Sequence, residues 1–248
     1  MPAARSRSRS CERAMTRPFA IYTPEKAYQR NVLFAVEVLD AVTLQRLSDG
    51  VTVKATGLVH GPTTNSSGFF VWLQEDASAL QSVSVDPGVL PFEPTQLPAA
   101  QVQMPLSRIE LPPTCTYPFA TGMTGLCGSL IEQRVTAPDV AQPVTDASVH
   151  LLWLADDGVT WNDAPTVSHT NVNGDFAVML RFTPADAPNL DANNYLTVRL
   201  RAARASTGTE LGSGNFSLQL GRVADALTYL QTGGAPPALV FAWNELTP

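Results

Sequence analysis

Apolar and polar residues alternate along most of the chain after residue 32, and this period of two is typical of half-buried β-strands. In residues 51–55, for example, Val51, Val53 and Ala55 share one face, while Thr52 and Lys54 share the other. The pattern predicts many short antiparallel strands and an all-β fold. The other alternating sets are Phe70 and Trp72; Val83 and Val85; Val102, Met104 and Leu106; Phe176, Val178, Leu180 and Phe182; Leu196, Val198, Leu200 and Ala202; Phe216, Leu218 and Leu220; and Leu239, Phe241 and Trp243.

Turn-forming residues separate these predicted strands, as in Asp86-Pro87-Gly88, Asp157-Gly158 and Asn173-Gly174. One segment has a helical period instead. Val223, Leu227 and Leu230 are spaced i, i+4 and i+7 within residues 222–231, and Gly233-Gly234 would end a helix there. We therefore expect one short helix near the C-terminus.

A ten-residue pattern occurs twice, at Thr64–Leu73 and at Thr170–Met179. Each copy is a polar turn, a glycine (Gly68 or Gly174) and then an aromatic residue that opens a strand. A repeat at the spacing of a small domain predicts two copies of one β-module. Asn173-Gly174 further predicts a turn in which Gly174 has a positive φ.

The residues of this repeat resemble the carboxypeptidase regulatory-like domain, a transthyretin-type or prealbumin-like β-sandwich. The second module matches through residues 128–132, 143–151 and 170–180, and the first more loosely through residues 36–40, 50–53 and 64–72. The resemblance implies two transthyretin-like or immunoglobulin-like sandwiches in tandem. Such domains stabilise enzymes, bind sugars, or act as spacers in surface proteins, phage tails and contractile injection systems, and they bring no catalytic residues of their own.

Proline-rich residues 112–124 form the natural boundary between the modules, because prolines withhold backbone donors from a sheet. The predicted organisation is a disordered or extended basic tail at 1–20, a first sandwich at 21–111, this linker, and a second sandwich at 125–248. We expect the short linker, which carries Tyr117 and Phe119, to hold the modules rigidly together. Translation from Met15 instead of Met1 stays open.

Composition and charge narrow the function classes. Only 15% of the residues are charged and the formal net charge is −6, which argues against a general nucleic-acid-binding protein. The N-terminal region shows neither a signal-peptide core nor an apolar span, so we expect synthesis in a cytoplasm and no membrane partner. Cys11, Cys115 and Cys127 form no even-numbered framework. We expect reduced thiols, although Cys115 and Cys127 flank a loop and their pairing stays open.

No motif in the sequence indicates catalysis, a metal or a cofactor. His60, His150 and His169 lack metal-ligand spacing, and the chain has neither a nucleophile elbow nor a phosphate loop. A hidden triad would need one of these histidines beside a serine or cysteine in a cleft. We expect a protein that is not an enzyme and that uses no cofactor.

We therefore expect a structural protein that binds other proteins of a large assembly, such as a phage tail, baseplate or contractile injection particle. Tyr22, Tyr117 and Phe119 are the candidate interface residues, because aromatic side chains dominate interface energetics. The alternative is a carbohydrate-binding accessory module. In that case Trp161 would stack on a sugar ring while Asn162 and Asp163 bound its hydroxyl groups.

Overall fold

The structure, a computed structural model, describes residues 31–73, 79–134, 140–225 and 239–248. These residues are mostly in β-strands, which confirms the all-β prediction. The complete helical elements among them are two three-residue 3-10 turns, Ala99–Gln101 and Trp243–Glu245. The described residues belong to one compact unit.

The first seven strands form two sheets. One has the order β3-β4-β1-β7, in which β1 pairs antiparallel with β4 and parallel with β7. The other has the order β2-β5-β6 and is antiparallel. The strands are β1 (Val32–Asp40), β2 (Thr52–Thr56), β3 (Thr63–Thr64), β4 (Phe70–Leu73), β5 (Ser82–Asp86), β6 (Thr95–Pro98) and β7 (Leu106–Leu111).

The next ten strands form two more sheets. One has the order β10-β9-β13-β14, with β11 also paired to β9 and β15 to β13. In the other, β8 pairs antiparallel with β12 and parallel with β16 and β17. The strands are β8 (Thr124–Ile131), β9 (Ala147–Leu154), β10 (Trp161–Asp163), β11 (Ser168–His169), β12 (Asp175–Leu180), β13 (Tyr195–Arg204), β14 (Glu210–Gly212), β15 (Phe216–Gln219), β16 (Val223–Ala224) and β17 (Val240–Ala242).

Apolar side chains from these sheets form two separate clusters. The first core lies among the first seven strands and includes Phe34 stacked on Trp72, with ring centroids 4.6 Å apart. The second core lies among the later strands. It contains the predicted inward sets of β12 and β13: Phe176, Val178 and Leu180, and Leu196, Val198, Leu200 and Ala202, while Phe182 packs at its margin.

The repeated pattern forms the same turn in both copies. The N–H of Asn65 donates to the carbonyl of Phe69, and the Asn65 side-chain oxygen accepts from the N–H groups of Ser67 and Phe69. Asn171 makes the equivalent bonds to Asn173 and Asp175.

The glycine of each copy has a positive φ, +80° at Gly68 and +77° at Gly174, and the second value confirms the prediction for Gly174. A third copy, which the repeat did not reveal, opens β13. There Asp191 accepts from the N–H groups of Asn193 and Tyr195, and Asn194 has a φ of 61° in place of the glycine. Asparagine is among the few non-glycine residues that adopt this region readily.

Two predicted elements differ from the structure at the residues that it describes. The helix expected over residues 222–231 is not formed at its start, because Val223 and Ala224 extend the sheet in parallel with β8 and bury Ala224. The rest of that segment, and Gly233-Gly234, lie outside the described residues. The alternation expected from Val102 to Leu106 begins only at Leu106, because a 3-10 turn at 99–101 precedes it and Met104 is exposed.

Replacement of Gly174 by alanine should destabilise the protein more than the same change at Gly208. Both glycines have a positive φ, +77° and +66°, which costs an L-residue about 1–2 kcal/mol. Only at Gly174 would the new Cβ also collide, 2.4 Å from the backbone oxygen of Leu130, whereas nothing lies within 4 Å at Gly208. Urea unfolding of the two variants measures the difference, and equal losses would contradict the collision.

Phe176→Ala should lower the free energy of unfolding by about 3–5 kcal/mol, because it leaves a cavity in the second core. Phe176 is 1% exposed, and its ring lies over Gly128, where an added Cβ would be 2.9 Å from Phe176 Cζ. Phe216→Ala, at the half-buried margin of the same core, is the matched control and should cost less. A loss below about 1 kcal/mol for Phe176→Ala in urea unfolding would contradict its place in the core.

Candidate functional site

The polar contacts that join residues near the first core to strands of the second core centre on Glu93. Glu93 follows a backbone bridge between Phe92 and Pro113, and its own N–H donates to the carbonyl of Pro112 at 2.8 Å. Its carboxylate accepts from the hydroxyl of Ser168 at 2.5 Å and from the N–H of His169 at 2.8 Å. Glu93 is only 7% exposed, so these donors take the place of water. We call this region the junction: Glu93 and Cys115 on one side, and Ser168, His169 and Phe176 on the other.

Ser168 connects the junction to the edge of β12. Its hydroxyl oxygen accepts from the N–H of Ala177 at 3.1 Å, while the hydroxyl proton goes to Glu93. Thr166 donates to the carbonyl of Met179 at 3.1 Å. Two hydroxyl groups thus satisfy backbone groups of β12, a strand that would otherwise present an open edge.

The same residues place a serine, a histidine and a glutamate together, but not as a catalytic triad. A triad needs the imidazole to accept the proton of the nucleophile, with the carboxylate on the other ring nitrogen. Here the Ser168 hydroxyl donates to Glu93, and His169 Nδ1 lies 3.6 Å from Glu93 Oε2. The described contacts therefore give the Ser168 hydroxyl a carboxylate partner and not an imidazole. His150 lies half-buried on β9. Burial is the main cause that lowers the pKa of its imidazole, and the positive charge of Arg201 is the second cause.

The predicted interface residues of the linker are half-buried. The Tyr117 hydroxyl donates to Asp40 Oδ2 at 2.6 Å, and burial together with this carboxylate raises the pKa of Tyr117 far above its usual range. The Tyr117 ring packs on Phe92 and Phe119, with centroids 5.5 and 4.9 Å away. Tyr117 thus contributes to the margin of the first core, whereas the ring contact of Phe119 is with Tyr117. Tyr22 lies outside the described residues.

A cleft of about 580 Å³ lies beside the start of β8 and the end of β12. Among the described residues that line it, the charged one is Arg181, whose Nη2 lies 3.5 Å from Glu110 Oε2. Arg181 Nη1 is shielded from solvent and has no hydrogen-bond partner among the described residues. The apolar part of the lining includes Ala41, Val42, Met123, Met179, Leu180 and Phe182.

The three residues predicted to bind a sugar lie on β10 and do not share one face. Trp161 and Asp163 point to the same side of the strand, and Asn162 points to the opposite side. The Arg199 guanidinium lies over the Trp161 ring, 4.4 Å from its centroid, and Arg201 donates to Asp163 at 2.7 Å. One face of the indole is therefore occupied by a cation, and carbohydrate binding stays a prediction.

Sequence reasoning did not find Glu93 or Ser168. They are 75 residues apart, and neither belongs to a motif with a fixed spacing. The mixed residues beside Ser168, Val167 and His169, and the prolines around Glu93 gave no signal of a buried hydrogen bond between them. An inward serine on a two-residue strand has no distinctive local pattern.

Comparison of the chain with family profiles, with curated proteins and with solved structures finds no match. In the part of the chain that the structure describes, no helix is long and apolar enough to cross a bilayer. Among those same residues, no group of three or more histidine, cysteine, aspartate and glutamate side chains is placed to hold a metal ion.

The hydrogen bond between Glu93 and Ser168 should give a measurable coupling in a double-mutant cycle. We expect Glu93→Ala and Ser168→Ala together to show a coupling of about 1–3 kcal/mol in urea unfolding, because both groups are buried. The more exposed pair Glu110 and Arg181, whose charged atoms lie 3.5 Å apart, is the matched control and should couple by less than about 1 kcal/mol. A coupling for Glu93 and Ser168 no larger than that of the control would contradict the role of this bond at the junction.

Proposed function

We propose that this chain is a non-enzymatic structural protein, built from two transthyretin-like sandwiches in tandem, that binds other proteins of a large assembly. The proposed setting is a particle of the phage-tail or contractile-injection type, in which the chain acts as a rigid spacer. The cytoplasm is the proposed place of synthesis, followed by incorporation into the particle. In this proposal the chain acts by binding other proteins through its surface, and it uses no cofactor.

The observation that carries this proposal is the shared strand connectivity on the two sides of the junction. β1 lies between an antiparallel and a parallel neighbour, β4 and β7, as β8 lies between β12 and the pair β16 and β17. β2 pairs with β5 and β5 with β6, as β9 pairs with β13 and β13 with β15. The repeated turn opens the equivalent strands β4 and β12.

The junction supports the spacer role. Two modules without a fixed contact would leave the polar groups between them in water, but Glu93 is buried against Ser168 and His169. A hydrogen-bonded carboxylate in a dry contact fixes the direction of approach as well as the distance. Two sandwiches held in this way transmit a fixed geometry, which a spacer in an ordered particle needs.

The proposal is tested by isolating the protein from its native host. We expect it to sediment with a megadalton particle and to be identified in that fraction by mass spectrometry. A monodisperse monomer with no particle partner would overturn the assembly proposal. Binding to a glycan panel that Trp161→Ala abolishes would instead favour the carbohydrate-binding alternative.

Phe119→Ala should reduce incorporation into the particle while the melting temperature stays close to that of the wild type. Phe119 is half-buried and its ring contacts only that of Tyr117 among the described residues, so its loss removes little of the first core. Truncation of an aromatic hot spot costs about 2 kcal/mol or more of binding. Val172→Ala is the control, because Val172 is also apolar and is 80% exposed.

Normal incorporation of Phe119→Ala, with normal melting, would exclude Phe119 as a contact. Tyr117→Phe tests whether the neighbouring Tyr117 stabilises the fold and does not bind a partner. It keeps the ring but removes the bond to Asp40, so it should lower the melting temperature without changing incorporation of the protein that remains folded.

A further inference from the structure

Cys115 is held in place by the residues around it. It lies in a turn in which the N–H of Tyr117 donates to the carbonyl of Thr114 at 3.0 Å. The N–H of Thr114 donates in turn to Pro91 at 2.9 Å, and Pro113 bridges to Phe92. This turn is thereby attached to the side of the first core, and its cysteine is exposed to solvent.

Cys127 lies on the opposite side of the junction, buried in β8 opposite Ala177 of β12. The thiol of Cys115 donates to the backbone oxygen of Phe176, the residue before Ala177, at 3.1 Å. The two thiols are neighbours. Their contact is the first cause that raises the pKa of the Cys127 thiol, and burial is the second. Both cysteines are free.

We propose that Cys115 and Cys127 are a modification site that reacts with a low-molecular-weight disulfide, such as oxidised glutathione, and closes to an intramolecular disulfide. In the first step the Cys115 thiolate attacks one sulfur of the small disulfide, whose S–S bond breaks and releases one glutathione thiolate. In the second step Cys127 loses its proton to solvent and attacks the Cys115 sulfur of the mixed disulfide. The second glutathione leaves, so two protein thiols are oxidised and one glutathione disulfide is reduced.

The difference between the two cysteines fixes the order of these steps. Only Cys115 is exposed, so it meets the small disulfide first, and Cys127 then acts as the resolving thiol. Because the turn and β8 hold the thiols side by side, the second step is intramolecular and has a high effective concentration. The product links the turn, which is attached near the first core, to the central strand of the second core. Oxidation would thus join the two sides of the junction by a covalent bond.

The test uses the full chain with Cys11→Ser, because Cys11 lies outside the described residues and would add a third thiol. The native protein is incubated with oxidised glutathione, quenched by alkylation under denaturing conditions, and analysed by intact mass and peptide mapping. We expect loss of both thiols, no retained glutathione and a Cys115–Cys127 linked peptide. The oxidised protein should melt at a higher temperature than the reduced one.

Single variants identify the roles. Cys127→Ala should stop at the mixed disulfide and retain one glutathione on Cys115, whereas Cys115→Ser should leave Cys127 unmodified while the protein is folded. In urea the ratio of the rate of disulfide closure to the rate of mixed-disulfide formation should fall at least about tenfold, because the thiols are no longer held together. If the folded Cys11→Ser protein keeps glutathione on Cys115, or closes no faster than in urea, the proposal is wrong. Modification of Cys127 in folded Cys115→Ser would overturn the assigned order.

Discussion

A carboxylate that leaves water needs hydrogen-bond donors inside the protein, and the donors that Glu93 has among the described residues lie across the junction. The other contacts of this region depend on that constraint. Ser168 donates to Glu93 and also accepts from the N–H of Ala177, so the carboxylate is tied to the edge of β12 through one hydroxyl group. From the linker, the Cys115 thiol donates to the carbonyl of Phe176, the residue before Ala177 on the same strand. Loss of the Glu93 contact would therefore disturb a chain of neighbours and not a single bond.

A second constraint acts locally and recurs. Three turns use a side-chain oxygen, from Asn65, Asn171 or Asp191, to accept two backbone N–H groups, and each needs a left-handed residue three positions later. The chain meets this need with glycine twice and with asparagine once. The turns open β4, β12 and β13. Hydrogen bonds within each five-residue turn therefore help to set the register of the strand that follows it.

The sequence predicted this local chemistry well. The period of two identified most of the strands, and Asn173-Gly174 identified a turn whose φ is positive. The third turn escaped prediction because Asn194 replaces the expected glycine, although its hydrogen bonds are the same. Val223 was expected in a helix because its spacing to Leu227 is helical, but pairing with β8 outweighs so weak a local preference.

The candidate site was less predictable because its contacts are distant in sequence. Neither Glu93 nor Ser168 belongs to a motif, and their meeting depends on how the two cores approach one another. The linker was expected to be short and rigid on account of its prolines and aromatic residues. The structure adds a hydrogen bond from the Tyr117 hydroxyl to Asp40, which anchors this part of the linker. No pattern of apolar residues predicts such a bond.

The junction also limits where a partner can bind. Groups that hold the two cores together are committed to internal contacts, so Ser168 and Glu93 have little left to offer an outside molecule. Arg181 differs, because Nη1 has no hydrogen-bond partner among the described residues and its contact with Glu110 is long. The arginine lies in the cleft, beside apolar side chains such as Met179 and Phe182. A guanidinium with an unpaired N–H in a largely apolar cleft offers a hydrogen-bond donor to a partner surface, which agrees with the proposed role as a structural protein.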